Sequence, residues 1–177
     1  MSVPEFSRPE RIDTIGEPRT VSIEANEAER AALAKRFDLI GIDRLAASFT
    51  IRSEAAGIAV EGRVTAALIQ ACSVTGDPLP ATVDEPVALL FVAATGAGAD
   101  EVELDAGDID VVPYEGGAID LGETGAETMA LALDPFPRGP GAAAALKAAG
   151  VISEEEAGPF GALAGLKAKL GGRSEPS

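Results

Sequence analysis

Side chains suited to covalent or metal chemistry are scarce in this 177-residue chain. It contains no His and a single Cys, Cys72. Zinc sites need several thiolate or imidazole ligands, and Ser-His-Asp or Cys-His catalysis needs a histidine base. We therefore predict no catalytic residue, no cofactor and no metal site. Cys72 is interpreted as a small, half-buried thiol whose activation would require a nearby cation.

Carboxylates are the remaining candidates for chemistry. Asp105, Asp108 and Asp110 could coordinate calcium, but the complete calcium-loop pattern with its closing Glu is missing. A pair such as Asp108 and Asp110 could serve as acid and base in a hydrolase. Glycosidases usually add aromatic sugar platforms, whereas aromatic residues make up only 4% of this chain. A solvated acidic face is the preferred interpretation, and the carboxylate-dependent hydrolase is kept as the alternative.

Charge is distributed unevenly along the chain, whose net charge is -15. No Lys or Arg lies between Arg63 and Arg138, a stretch that holds fourteen Asp and Glu residues. Such a field repels phosphates and attracts cationic surfaces, so we predict a basic protein as the partner, although solubility would also explain the acidity. The candidate partner-binding residues are Asp100, Glu101, Glu103, Asp105, Asp108, Asp110, Phe160, Leu163 and Leu166. Direct RNA contact by the basic C-terminal tail stays open.

The elements that must position these residues follow from local patterns. A short strand over 20–24 precedes a helix whose Asn26 and Glu29 have the spacing of a capping box. Alternating apolar and polar residues on both sides of Gly57 predict a hairpin. The apolar run over 86–94 predicts a central strand buried on both faces, after a loop over 73–80. Short acidic strands are expected near 102–104 and 109–112.

Three helices are predicted in the last third of the chain. Asp120 and Glu123 have capping spacing ahead of the first, and the alanine-rich run over 142–149 forms the second. The third begins near Pro159 and has the apolar stripe Phe160, Leu163, Leu166 and Leu170. The predicted organisation is an extended arm over 1–19, one α+β domain over 20–170 and a flexible tail over 171–177. Its sheet is curled and mostly antiparallel with helices at one side, and closure into a barrel is left open.

No apolar run is long enough to cross a bilayer, and the N-terminal residues lack the apolar core of a signal peptide. With its one free thiol, the chain is expected to be cytoplasmic.

Three segments, read in order, resemble a known family. They are Ala71–Pro80 with the sequence ACSVTGDPLP, Asp120–Arg138 from DLGE to DPFPR, and Pro159–Lys167 with the sequence PFGALAGLK. The set resembles the YceD-type family, the large ribosomal RNA subunit accumulation proteins, from about Arg44 to Leu170. The resemblance implies a non-enzymatic role in accumulating or processing large-subunit ribosomal RNA. Together with the acidity, it points to a basic ribosomal protein or a precursor particle as the partner.

The chain departs from that family at its cysteines. Many members carry a second Cys near Cys72 and another after the proline-rich turn, where this chain has Thr75 and Arg138. It therefore resembles a proteobacterial variant that lacks the paired cysteines. A metal-based role of such relatives does not transfer to it.

Overall fold

The structure is a computed structural model that describes residues 4–94 and 109–151. The chain divides into two compact units. The described part of the larger unit consists of residues 4–71, 78–94 and 109–137, and that of the smaller unit of residues 72–77 and 138–151. The strand expected near 102–104 and the helix expected from Pro159 lie outside the described residues.

Strands and helices follow one another in α+β order. The strands are β1 (Pro9–Arg11), β2 (Arg19–Glu24), β3 (Gly41–Glu54), β4 (Gly57–Ala71), β5 (Pro78–Ala93), β6 (Asp110–Tyr114) and β7 (Ala118–Asp120). The helices are a 3-10 turn (Ile12–Thr14), α1 (Glu27–Arg36), α2 (Leu121–Leu131) and α3 (Ala142–Ala148). The predicted α+β class is confirmed, as is the short helix that follows Gly141.

The larger sheet has the strand order β2-β3-β4-β5-β6. Its pairings are antiparallel except for the last, in which β5 and β6 run parallel. A second sheet pairs β1 with β7. Among the described strands β2 and β6 are edges, so the larger sheet is open and the barrel considered from the sequence is not confirmed.

The hairpin of β3 and β4 forms where the alternating pattern predicts it, with Glu54 opposite Gly57. Gly57 has a φ of 156°, and a Cβ there would lie 2.1 Å from the carbonyl oxygen of Phe91. Gly62 lies opposite Phe49, and a Cβ would lie 2.1 Å from the carbonyl oxygen of Ser48. These two glycines let the long strands approach closely.

The prediction for β5 was wrong in its length and in its burial. The strand begins at Pro78, inside the predicted loop, and pairs with β4 from Pro78 to Phe91. Ala88 is exposed, so β5 is not buried on both faces. Because β6 pairs with β5 only from Leu89 onward, the earlier part of β5 has an edge that pairs with no other described strand. Prolines such as Pro80 and Pro86 are tolerated on such an edge, since no ladder bond to a further strand is lost there.

One face of the sheet carries the hydrophobic core. Leu45, Phe49 and Ile51 of β3 and Val60, Val64 and Leu68 of β4 are buried in it. Both helices of the larger unit add to the same core, α1 through Leu33 and α2 through Leu121, Ala126 and Met129. The helices therefore pack on one side of the sheet.

The N-terminal segment contributes to this core as well. Phe6 is fully buried and Ile15 nearly so. The strand β1 extends this segment along β7, directly ahead of α2. The stretch described from the sequence as an arm thus supplies core side chains in its described part.

Capping residues begin the two longer helices. Asn26 Oδ1 accepts the Glu29 N–H at 3.0 Å and a Glu29 carboxylate oxygen accepts the Asn26 N–H at 2.8 Å, which confirms the capping box. Asp120 Oδ1 accepts the amides of Gly122 and Glu123. The side chain of Glu123 does not complete a second box, because it pairs with Arg36 instead.

Candidate functional site

The structure describes only one of the predicted partner-binding residues, Asp110. It is exposed at the start of β6, opposite Leu89 of β5. The remaining eight, Asp100, Glu101, Glu103, Asp105, Asp108, Phe160, Leu163 and Leu166, lie outside the described residues. The carboxylate pair of the hydrolase alternative is untested for the same reason. Within residues 4–94 and 109–151, no group of three or more His, Cys, Asp or Glu side chains is placed to hold a metal ion.

Arginines of the larger unit form ion pairs that join its N-terminal segment and its helices. Arg8 donates to both carboxylate oxygens of Glu29, at 2.8 and 3.0 Å, and its guanidinium lies 4.7 Å from the ring centroid of Phe6. This fork-to-fork pair joins the N-terminal segment to α1 and lowers the pKa of Glu29. The position of Arg8 is fixed further by its own N–H, which Asp120 Oδ1 accepts at 2.7 Å.

A second arginine joins three elements. Arg36, at the end of α1, donates to both oxygens of Glu123 on α2, at 2.9 and 2.6 Å. It also reaches Glu5 of the N-terminal segment at 3.1 Å. Arg36 thus neutralises Glu123, whereas Glu127, one helical turn further along α2, has no ion pair with a described residue. Partial burial and the neighbouring Glu123 raise the pKa of Glu127.

The face of the sheet opposite the core is polar. Thr20 lies across from Thr50 and Ser22 across from Ser48, with each pair of hydroxyl oxygens 3.4 Å apart. The arginines of this face are each matched by acids. Arg52 pairs with Glu54 and Glu61, Arg63 with Asp84, and Arg44 with Glu24. A shallow depression of about 450 Å³ on this face is lined by one acid, two arginines, three hydroxyl residues and three apolar residues, namely Glu24, Arg44, Arg63, Ser22, Ser48, Thr65, Ile23, Ala46 and Ala47.

All eight arginines of the larger unit are engaged within it. Seven pair with carboxylates, and Arg30 donates to the backbone carbonyls of Ala25 and Ile42. Exposed acids of the larger unit without an ion pair to any described residue are Glu17, Glu27, Asp38, Asp43, Glu85, Asp110, Glu115, Glu127 and Asp134. Lys35 of α1 is exposed and in no ion pair with a described residue, but the unpaired acids far outnumber it, so the net charge that the larger unit presents to a partner is negative. Sequence reasoning found the acidity but not the engagement of the arginines, which depends on strand register and helix packing.

The smaller unit contains the thiol. Cys72 begins a tight turn in which its N–H donates to the Asp77 carbonyl and its own carbonyl accepts the Gly76 N–H, both at 2.8 Å. Gly76 has a φ of 75°, a conformation that favours glycine. The Cys72 side chain is buried, and its Sγ accepts the Gly139 N–H at 3.4 Å.

Hydrogen bonds lower the pKa of Cys72 to about 6, first the amide of Gly139 and then the hydroxyl and amide of Thr75. The expectation that activation needs a nearby cation was therefore incomplete, because amide and hydroxyl dipoles stabilise the thiolate here. The structure also brings Thr75 and the residue after Arg138 next to Cys72. Thr75 is a place where the resemblance leads one to expect a further cysteine, and Gly139 directly follows Arg138, the other such place.

None of the described helices combines the length and the continuous apolar character that a bilayer span requires. Comparison with protein families gives a match to the model described as "Large ribosomal RNA subunit accumulation protein YceD" over residues 60–167. That range runs from near the start of β4 past α3 and covers more than half of the chain. No curated protein and no solved structure matches the chain.

Proposed function

Because the chain belongs to the YceD family of large ribosomal RNA subunit accumulation proteins, we propose that it supports accumulation or processing of that RNA without catalysing a reaction. In this proposal it binds a basic partner, either a large-subunit ribosomal protein or an assembly intermediate that contains one. It acts in the cytoplasm, where such intermediates form.

The engagement of all eight arginines carries the choice of partner. Nucleic-acid binding draws on Lys and Arg side chains that neutralise phosphates. Here the arginines of the larger unit are already held by carboxylates or carbonyls. Using Arg8 or Arg36 for RNA would leave the half-buried carboxylate of Glu29 or Glu123 without its partner. The exposed unpaired acids instead offer favourable sites to Lys and Arg of a protein, and complementary charge of this kind mainly accelerates association.

The test of this proposal measures binding of the purified full chain to purified large-subunit ribosomal proteins and, separately, to naked large-subunit RNA. We expect one or more of the proteins to bind, with an association rate that falls as salt rises through the screening range. Binding to naked RNA should be much weaker. Tight binding to the RNA with no binding to any ribosomal protein would refute the proposal.

Charge-neutral variants locate the interface. The triple variant Glu85→Gln, Glu115→Gln, Glu127→Gln changes acids of the stretch that lacks Lys and Arg, and we expect it to slow association by roughly tenfold. The matched control removes the same number of charges before Arg63, through Glu17→Gln, Asp38→Asn and Asp43→Asn. An equal effect of both triples would show that only net charge matters.

Three of the acids predicted from the sequence, of which only Asp110 lies within the described ranges, are tested in the same assay. The variant Asp105→Asn, Asp108→Asn, Asp110→Asn should also slow association, since these acids belong to the same stretch. Unchanged association rates in this variant would remove them from the interface while leaving the proposed function intact.

The cellular consequence is measured by deleting the gene. We expect large-subunit RNA to fall relative to small-subunit RNA, or its precursor to accumulate. Normal RNA ratios in both fast and cold growth would contradict the proposed function.

A further inference from the structure

Two large apolar side chains, one at the end of α2 and one shortly after it, are highly exposed to solvent. Leu131 is 87% exposed and Phe136 is 72% exposed, more than any other large hydrophobic side chain among the described residues. The two residues lie five positions apart along the chain, Leu131 at the last position of α2 and Phe136 on the turn that follows it. We name Leu131, Phe136 and the acids Glu127 and Asp134 the α2 tip.

The backbone of the α2 tip is held firmly. Asp134 Oδ1 accepts the Phe136 N–H at 2.9 Å, and the Gln70 side-chain amide on β4 donates to the Asp134 carbonyl at 3.0 Å. Pro135 and Pro137 restrict the backbone on both sides of Phe136. Leu133 packs against the core between the two exposed side chains. An aromatic ring presented on an ordered turn loses little conformational entropy when a partner covers it.

The charge around these apolar groups is negative. Glu127 lies one helical turn before Leu131 on α2, so the two side chains share a face of the helix. Both Glu127 and Asp134 are exposed without an ion pair to a described residue. The nearest base along the chain is Arg138, two residues after Phe136 and the first since Arg63. The pKa of Glu127 is raised first by partial desolvation and then by the neighbouring carboxylate of Glu123, while Arg36 opposes the shift.

We propose that the α2 tip is a docking surface for a cationic protein segment whose apolar side chains cover Leu131 and Phe136 while its Lys or Arg side chains meet Glu127 and Asp134. The identity of that segment as part of a ribosomal protein rests on the proposed function, whereas its chemistry rests on the α2 tip alone. A few well-packed side chains that become desolvated on binding carry most of the binding energy of an interface, and Leu131 and Phe136 are the most exposed large apolar side chains among the described residues.

Two synthetic peptides of equal length and equal positive charge test this proposal. One combines Lys with Leu and Phe, and the other combines Lys with Ser and Gly. We expect the amphipathic peptide to bind the full-length protein and to shift the amide resonances of Leu131 and Phe136 in two-dimensional NMR. The variant Leu131→Ala, Phe136→Ala should weaken that binding by about tenfold or more.

The control variant Ile40→Ala, Val111→Ala truncates exposed apolar side chains elsewhere and should bind like the wild type. Equal binding of the amphipathic peptide by wild type and α2-tip variant, or no binding by either, overturns the proposal. If purified ribosomal proteins bind both proteins equally, the α2 tip is excluded and the proposed function stands. If the α2 tip captures the peptide but no ribosomal protein binds the wild type, the proposed function fails instead.

Discussion

Replacing Asp120 by Ala is expected to destabilise the larger unit by about 2 to 3 kcal/mol. Its Oδ1 accepts the N–H groups of Gly122 and Glu123 as the cap of α2, and it also accepts the N–H of Arg8. Its Oδ2 accepts the hydroxyl of Ser7. Loss of an N-cap side chain costs about 1 kcal/mol, and half-buried donors left without acceptors add a similar amount or more.

The matched variant Asp120→Asn separates geometry from charge. An Asn keeps an oxygen at the Oδ1 position, so the three amides retain their acceptor. What is lost is the favourable charge at the helix N-terminus and the acceptor for Ser7, together about 1 kcal/mol or less. Asn should therefore retain most of the stability that Ala loses.

Urea unfolding followed by far-UV circular dichroism measures both variants. With a slope of roughly 1 to 3 kcal/mol/M, the midpoint of Asp120→Ala should fall by about 1 M. The midpoint of Asp120→Asn should fall by clearly less. An unchanged midpoint for Asp120→Ala, or equal destabilisation by Asn and Ala, would contradict this prediction. Either result would mean that Oδ1 of Asp120 does not hold the N-terminal segment to α2.

Two further predictions concern two glycines of α2 and the thiol of Cys72. Gly122→Ala should be strongly destabilising, because a Cβ there would lie 2.3 Å from the Phe6 carbonyl oxygen. Gly125→Ala meets only ordinary contacts and should be neutral or stabilising by up to about 1 kcal/mol. Equal melting temperatures for the two variants would contradict this packing. The pKa of Cys72 is lower in the folded state, about 6, than in the unfolded state, about 9. The Cys72 thiolate therefore contributes fully to the free energy of unfolding above pH 9, and this contribution is lost as the pH falls toward about 6. Unfolding of Cys72→Ala should lack that part of the pH dependence, and thiolate absorbance of the wild type titrating near pH 9 would contradict the lowered pKa.

Local features of the fold could be predicted from the sequence. The capping box of Asn26 and Glu29 depends on residues three apart, and the hairpin around Gly57 depends on alternation between adjacent residues. The run that forms α3 has high intrinsic helix propensity. Each of these signals lies within a few residues, where backbone geometry alone determines which side chains are neighbours. The family resemblance, confirmed over residues 60–167, likewise followed from ordered short segments.

Features that join segments distant in the sequence could be recognised only in the tertiary structure. The early start of β5 at Pro78 follows from the length of β4 and from an edge that pairs with no other described strand there and so tolerates prolines. The lowered pKa of Cys72 depends on the amide of Gly139, 67 residues away. Composition revealed the acidity but not that every arginine of the larger unit is engaged internally. Only long-range packing decides which charges neutralise each other and which remain for a partner, because ion pairs depend on distances in space rather than on order along the chain.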